Sequence, residues 1–222
     1  ACGVPVSWTV VLNSDEETGT YCSDRHIREQ ASMHDVGLTV EPALPSGELA
    51  IERPGSGQFF LEVRGRSAHV GRAFTEGVSA VTRLARELLK IADMPDPPRG
   101  RIVNVGPIEG NHAANAVPDR ARAWGNVRYP DADVERELAT LLDALATPGD
   151  AMPSVRVERS FNRPPKPLTD SVHRLAMLAR ETAENLGQSL PFAKTGGVCD
   201  GNNMQAAGIP VIDTLGVRGG GL

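Results

Sequence analysis

The spacing of apolar residues changes twice along this chain, and each change falls at a proline-marked joint. From residue 58 to 66, Phe59, Leu61 and Val63 alternate with polar partners, the two-residue period of a strand with one buried face. Residues 77–92 then place Val81, Leu84, Ala85, Leu88 and Leu89 at helical spacing, and Pro95, Pro97 and Pro98 stop that helix. Strands over 101–105 and 120–129 follow. Next come a helix over 133–145 with Val134, Leu138, Leu141 and Leu142 on one face, and a strand over 154–160. This strand-helix-strand-strand-helix-strand order is that of a ferredoxin-like unit. Residues 54–164 are therefore expected to form a small α+β domain, inserted between the two pieces of an α/β domain, residues 1–53 and 165–222. Pro54 and the run Pro164-Pro165-Lys166-Pro167 mark the joints.

The flanking pieces have a different rhythm. Residues 8–12 are a β-branched apolar run, expected as a buried strand that ends at Asn13-Ser14-Asp15. Ser23-Asp24 opens a helix over 25–31, and a strand over 37–40 ends at Glu41-Pro42. After the second joint Thr169 or Asp170 caps a helix whose Val172, Leu175, Ala176, Ala179 and Ala183 form one stripe ending near Gly187. A glycine-rich loop, a short helix over 204–207 and a strand over 209–213 complete an α/β pattern.

Composition excludes several partners. No apolar run approaches the roughly 20 residues that cross a bilayer. The net charge is −5 and the basic residues are scattered, so no nucleic-acid footprint is present. Cys2, Cys22 and Cys199 are odd in number and far apart, which makes neither a disulfide framework nor a paired zinc clamp; a reducing, cytoplasmic setting is expected. Residues 1–7 carry no initiator Met, basic start or signal-type apolar core, and read like a sequence entered partway through.

Adjacent carboxylates in Asn13-Ser14-Asp15-Glu16-Glu17-Thr18-Gly19 stand just beyond a predicted strand, where α/β sheets collect ligands. Two readings stay open: a solvated acidic turn, or a pair in which one carboxylate binds a metal and its neighbour takes a proton from metal-bound water. Glu41 is a second candidate ligand at the next strand end, and it is equally a plain strand terminus before Pro42.

A family resemblance rests on several motifs in order. They are Ser14-Asp15-Glu16-Glu17-Thr18-Gly19, Glu41-Pro42, Val63-Arg64-Gly65-Arg66-Ser67-Ala68-His69-Val70-Gly71, Asn115-Ala116-Val117-Pro118, Asn126-Val127-Arg128, Thr195-Gly196-Gly197, Asp200-Gly201-Asn202, Gly208-Ile209-Pro210 and Gly219-Gly220-Gly221. Together they resemble the zinc aminohydrolases of the glucarpidase, aminoacylase and succinyl-diaminopimelate desuccinylase type. The resemblance implies a split catalytic domain with an inserted lid and dimerisation domain, a pair of zinc ions per subunit, and hydrolysis of the amide bond of an N-acyl amino acid, dipeptide or carbamoyl amino acid. It implies Glu16 as general base, Glu17 and Glu41 as ligands of different zinc ions, and a homodimer in which His69 reaches the partner's site to stabilise the oxyanion. Asn115, Arg128 and Thr195 are implied at substrate-binding positions, Arg128 for a substrate carboxylate.

Departures from the family pattern matter as well. Its His-x-Asp motif and bridging Asp would precede Ala1, and its last His ligand would follow Leu222. One carboxylate per metal plus the base is too few for four-coordinate zinc, so the chain as it stands is expected to be an incomplete hydrolase, weakly active or inactive. A non-catalytic dimerising scaffold remains the alternative. Single His26, His34, His112 and His173 read as surface or capping residues, and Cys199 is given no role.

Overall fold

The computed structural model describes residues 5–110, 113–149 and 151–218. Cys2, His112 and the run 219–221 lie outside the described residues.

In chain order the elements are α1 (Asp24–Ala31), β1 (Gly37–Leu38), β2 (Leu49–Glu52), β3 (Gly55–Arg64), β4 (Ala68–His69), α2 (Val70–Ala73), α3 (Ala80–Ala92), β5 (Ile102–Glu109), β6 (Ala116–Val117), β7 (Arg120–Tyr129), α4 (Ala132–Asp143), β8 (Ser154–Arg163), α5 (Asp170–Asn185), β9 (Phe192–Lys194), α6 (Asp200–Ala206) and β10 (Val211–Ile212). The chain divides into two compact units, Ser56–Phe161 and the remainder, Ala1–Gly55 with Asn162–Leu222.

In the inner unit β3, β5, β7 and β8 form one sheet in the order β5-β7-β3-β8, with β5 antiparallel to β7. The first strand thus lies between the third and fourth, the ferredoxin-like order. Alternation along β7 buries Ala121, Ala123, Val127 and Tyr129, which pack with Phe59, Leu61 and Val63 of β3 and with Leu84, Ile91, Leu138 and Leu142 of the helices. Gly125 interrupts that row for a steric reason: a Cβ there would sit 2.1 Å from Phe59 Cζ, so the Phe59 ring occupies the space a side chain would need. Ser79 caps α3 and Asp131 caps α4, each accepting backbone N–H groups of the first turn.

Two differences from the sequence pattern have physical causes. On α3 the inward face is Ala80, Leu84, Glu87 and Ile91, while Val81 and Leu89 are exposed. Glu87 is tolerated inside because Arg83 and Lys90 bond its two oxygens at 2.5 and 2.8 Å, a charged solution that counting apolar residues does not find. Residues 8–12 form no strand, and Trp8 and Leu12 are 76% and 91% exposed. A strand exists only through neighbours that take its N–H and C=O groups, and none among the described residues pairs with this run.

The outer unit contains two parallel strand pairs, β1 with β10 and β2 with β9. Helix α5 covers Leu49, Ile51 and Ile212 with Val172 and Ala176, and Thr169 caps it. The short helix α6 begins at Asp200, earlier than its apolar residues suggest.

The joints are held by one buried charge. Arg53 and Lys166 pair backbone to backbone at 2.9 and 3.0 Å. Their side chains converge on Asp213: the Arg53 fork donates to both carboxylate oxygens at 2.6 and 2.9 Å, and Lys166 Nζ lies 3.4 Å away. Asn202 donates to Pro54 O at 2.9 Å and Pro164 O at 2.8 Å. Asp213 and Lys166 are fully buried, so removing the anion would leave two cations without compensation. Asp213→Ala should lower the unfolding free energy by about 3–5 kcal/mol in urea denaturation, whereas a loss below about 1 kcal/mol would show the hub to be dispensable.

Candidate active site

The turn after Asn13 separates three neighbouring carboxyl groups into different environments. Asp15 serves the backbone: its oxygens accept from Ser23 Oγ at 2.5 Å and Cys22 N at 2.8 Å, tying the turn to the start of α1. The Ser23 hydroxyl, then the Cys22 N–H, hold the Asp15 carboxyl below the usual range. The turn closes through Gly19 N to Glu16 O at 3.0 Å and Thr20 N to Asp15 O at 2.8 Å. Thr20 is β-branched yet has φ of 58°, a strained position, and its hydroxyl donates to Asp200 Oδ1 at 2.7 Å. Asn13 Nδ2 donates to the other Asp200 oxygen.

Glu16 points inward where Glu17 remains exposed. Burial pushes the Glu16 carboxyl up; Arg163 pulls it down, and Glu41, Asp200 and Glu17 add to the rise. Glu41 behaves alike: burial raises it, Arg53 opposes, and Asp213, Asp200 and Glu17 add to the rise. Glu16, Glu17, Glu41 and Asp200 therefore share one negative field, with Arg163 and Arg53 as its counter-charges. Thr195 follows β9, its N–H donating to Glu52 O at 3.2 Å. The glycine loop beyond it passes over Arg53, since a Cβ on Gly197 would lie 3.3 Å from Arg53 Nη1.

The remaining sequence-derived candidates stand in the inner unit. His69 ends β4 and is exposed; its Nδ1 accepts from Gly71 N at 3.1 Å. Asn115 is beside it, its carbonyl accepting from Val70 N at 3.0 Å. Arg128 is half-buried near the far end of β7, roughly 26 Å of strand beyond Arg120 at about 3.3 Å per residue, so it does not join His69 and Asn115. Its Nη1 is buried without a hydrogen-bond partner among the described residues, and burial lowers the guanidinium's proton affinity.

Sequence reasoning gave no role to Asp200, Arg163, Arg53, Lys166 or Asp213. Asp200 lies inside a matched motif, and its start-of-helix position was the available signal. The arginines carry no local period that marks them as partners of distant acids.

Among the described residues no three His, Cys, Asp or Glu side chains converge as a metal site requires. Glu17 and Glu41 are the carboxylates offered for zinc, and alone they do not make its usual coordination.

Comparison with known proteins shows what the chain resembles. Residues 51–152 match the model of the peptidase dimerisation domain of the M20 class. Carboxypeptidase G2 of Pseudomonas sp. is 26% identical over 216 residues, 96% of this chain and 52% of that protein. Succinyl-diaminopimelate desuccinylase of Dinoroseobacter shibae is 29% identical over 209 residues, 86% of this chain and 53% of that protein. The crystal structure of aminopeptidase PepT from Bacillus cereus has a TM-score of 0.73 at 27% identity, covering 90% of this chain and 53% of that one. These relatives are peptidases and aminohydrolases. The chain is similar to M20 aminohydrolases and peptidases, and the part of it matched by their dimerisation-domain model is residues 51–152. It spans about half the length of the relatives it matches.

Cys199, buried at the start of α6, differs from exposed Cys22. Burial pushes the Cys199 thiol up to about 11, leaving about a thousandth as thiolate at pH 8. Iodoacetamide at pH 8 should label Cys22 and spare Cys199 until the protein is unfolded, as peptide mass spectrometry would read. Equal labelling of both in the native state would contradict the buried environment.

Proposed function

We propose that this chain carries the proton-transfer part of the active site of a zinc-dependent amidohydrolase that cleaves the amide bond of an N-acyl amino acid, dipeptide or related small substrate. The observation that carries this reading is the shared field of Glu16 and Glu41, both half-buried and both raised by that burial. A solvated acidic turn would leave its carboxyl groups in water, with no reason for arginines to be sequestered beside them.

In this reading Glu16 is the general base. A carboxyl raised by its surroundings accepts a proton from the attacking water more readily, and returns it to the leaving amine as the tetrahedral intermediate collapses. Arg128 suits a substrate carboxylate because its planar fork can pair both oxygens and one buried nitrogen has no hydrogen-bond partner among the described residues. Asn115 orients the substrate beside His69, which donates to the developing oxyanion. Thr195 presents backbone groups to the substrate. Zinc enters through the family relationship, with Glu17 and Glu41 as its carboxylate contacts; the described residues do not complete its site.

The dimerisation-domain relationship supports a homodimer joined through the inner unit, in which His69 of one subunit serves the site of the other.

In the full-length protein Glu16→Gln should cut kcat by about 10²- to 10⁴-fold with zinc content unchanged, because Gln keeps the shape and loses the proton acceptor. Glu17→Gln should lower zinc content as well. A fully active Glu16→Gln enzyme would overturn the assignment and favour a scaffold.

Mixing tests the shared site. Glu16→Gln and His69→Ala homodimers should each be nearly inactive, and exchanging their subunits should restore turnover, since a mixed dimer holds one site with both residues intact. No recovery after verified subunit exchange would contradict the role of His69 in the partner's site.

A further inference from the structure

Arg163 lies 147 residues from Glu16 in the sequence, and it is the side chain that grips the Glu16 turn. It is 3% exposed. Its Nη2 donates to Glu16 Oε1 at 2.8 Å and to the Glu16 carbonyl at 2.9 Å, so one nitrogen fixes both the side chain and the backbone of one residue. Its Nη1 donates to Asp200 Oδ1 at 2.9 Å. Asp200 in turn accepts from Thr20 Oγ1 and Asn13 Nδ2, at the two ends of the same turn. The preceding residue, Asn162, donates to Gly19 O at 2.5 Å. The last two residues of β8 and the first residue of α6 thus hold the turn at Asn13, Glu16, Gly19 and Thr20.

This network does more than neutralise charge. Glu16 stands among Glu17, Glu41 and Asp200, whose field drives its carboxylate toward solvent, and the turn contains a Thr at positive φ that would relax if released. A lysine could supply one positive charge at this point. It could not present two nitrogens in a fixed plane to Glu16 and Asp200 together, which is what the guanidinium does.

We infer that Arg163 is the positioning residue of Glu16: with Asp200 as its anchor, it sets the direction in which the Glu16 carboxyl faces the reacting bond. The inference deepens the hydrolytic reading and rests on it for the role of Glu16; the clamp itself rests on the contacts above. Arg163 is assigned no bond to substrate; it acts through Glu16, whose Oε1 and carbonyl it holds.

Two readouts separate this from a general structural role. The first is amide hydrogen exchange, read by mass spectrometry on the peptide spanning residues 13–21. Arg163→Gln should speed exchange there by about tenfold, with peptides from α5 and β7 unchanged. If Arg163→Gln loosens the whole outer unit, Arg163→Lys decides. It keeps the charge, and faster exchange confined to residues 13–21 supports the clamp, whereas wild-type exchange there overturns it. Wild-type exchange of this peptide in a folded Arg163→Gln protein overturns it equally. The second readout is kinetic: in the full-length protein Arg163→Lys should lower kcat by about 100-fold with KM within about threefold, the signature of a misplaced base with intact binding. A loss expressed wholly in KM would place Arg163 in substrate binding and overturn the inference. The two levels fail separately, since a fully active Glu16→Gln enzyme removes the hydrolytic reading while exchange in residues 13–21 still decides the clamp.

Discussion

The buried carboxylate of Asp213 is the constraint on which the outer unit depends. It is fully buried just after β10, and it is paired with a cation from each joint, Arg53 before β3 and Lys166 after β8. Burying three charged groups is costly unless each is compensated. Burial does hold the Lys166 ammonium below its ordinary range, and Asp213 opposes that shift. Such a network has little tolerance for displacement, because any slip strands a charge in a low-dielectric interior. The two chain segments that lead into and out of the inner unit are thereby fixed to one point, and Asn202 adds backbone contacts to both prolines beside it.

The same logic explains the acidic cluster. Carboxyl groups brought together and partly buried repel one another, and the fold opposes this with two guanidinium groups rather than by dispersing the acids. Arg163 lies between Glu16 and Asp200, while Arg53 faces Glu41 from its bond with Asp213. Raised carboxyl groups flanked by buried arginines are the arrangement that suits the general-base role proposed for Glu16. The neighbouring Asp15 marks the contrast. Its oxygens are spent on Ser23 and Cys22, and it is held low where Glu16 is held high.

How far the sequence reaches depends on how local the cause is. The inner sheet is legible because each strand covers one face, so Phe59, Leu61 and Val63 on β3 and Ala121, Ala123 and Val127 on β7 recur at every second position. Caps at Ser79 and Thr169 are legible because their partners lie three residues away. Residues 8–12 have the composition of a strand, but composition cannot supply the hydrogen-bonding neighbour a strand needs. Glu16, Glu17 and Glu41 draw notice as acids at the ends of predicted strands, and the structure sets all three in one field. Arg163, Arg53 and Lys166 stay silent in the sequence, since a basic residue beside a proline looks the same whether it meets water or a carboxylate far along the chain.

If the Glu16 cluster activates water against an amide bond, the oxygen added to the product must come from solvent. The full-length protein would be incubated with an N-acyl amino acid or dipeptide panel in heavy-oxygen water, and the released acyl carboxylate weighed by mass spectrometry. A member of the panel should be cleaved, and the new carboxylate should carry a single heavy oxygen from solvent. Cleavage without solvent oxygen in the product, or an intact panel after prolonged incubation with zinc supplied, would contradict water activation by the Glu16 cluster.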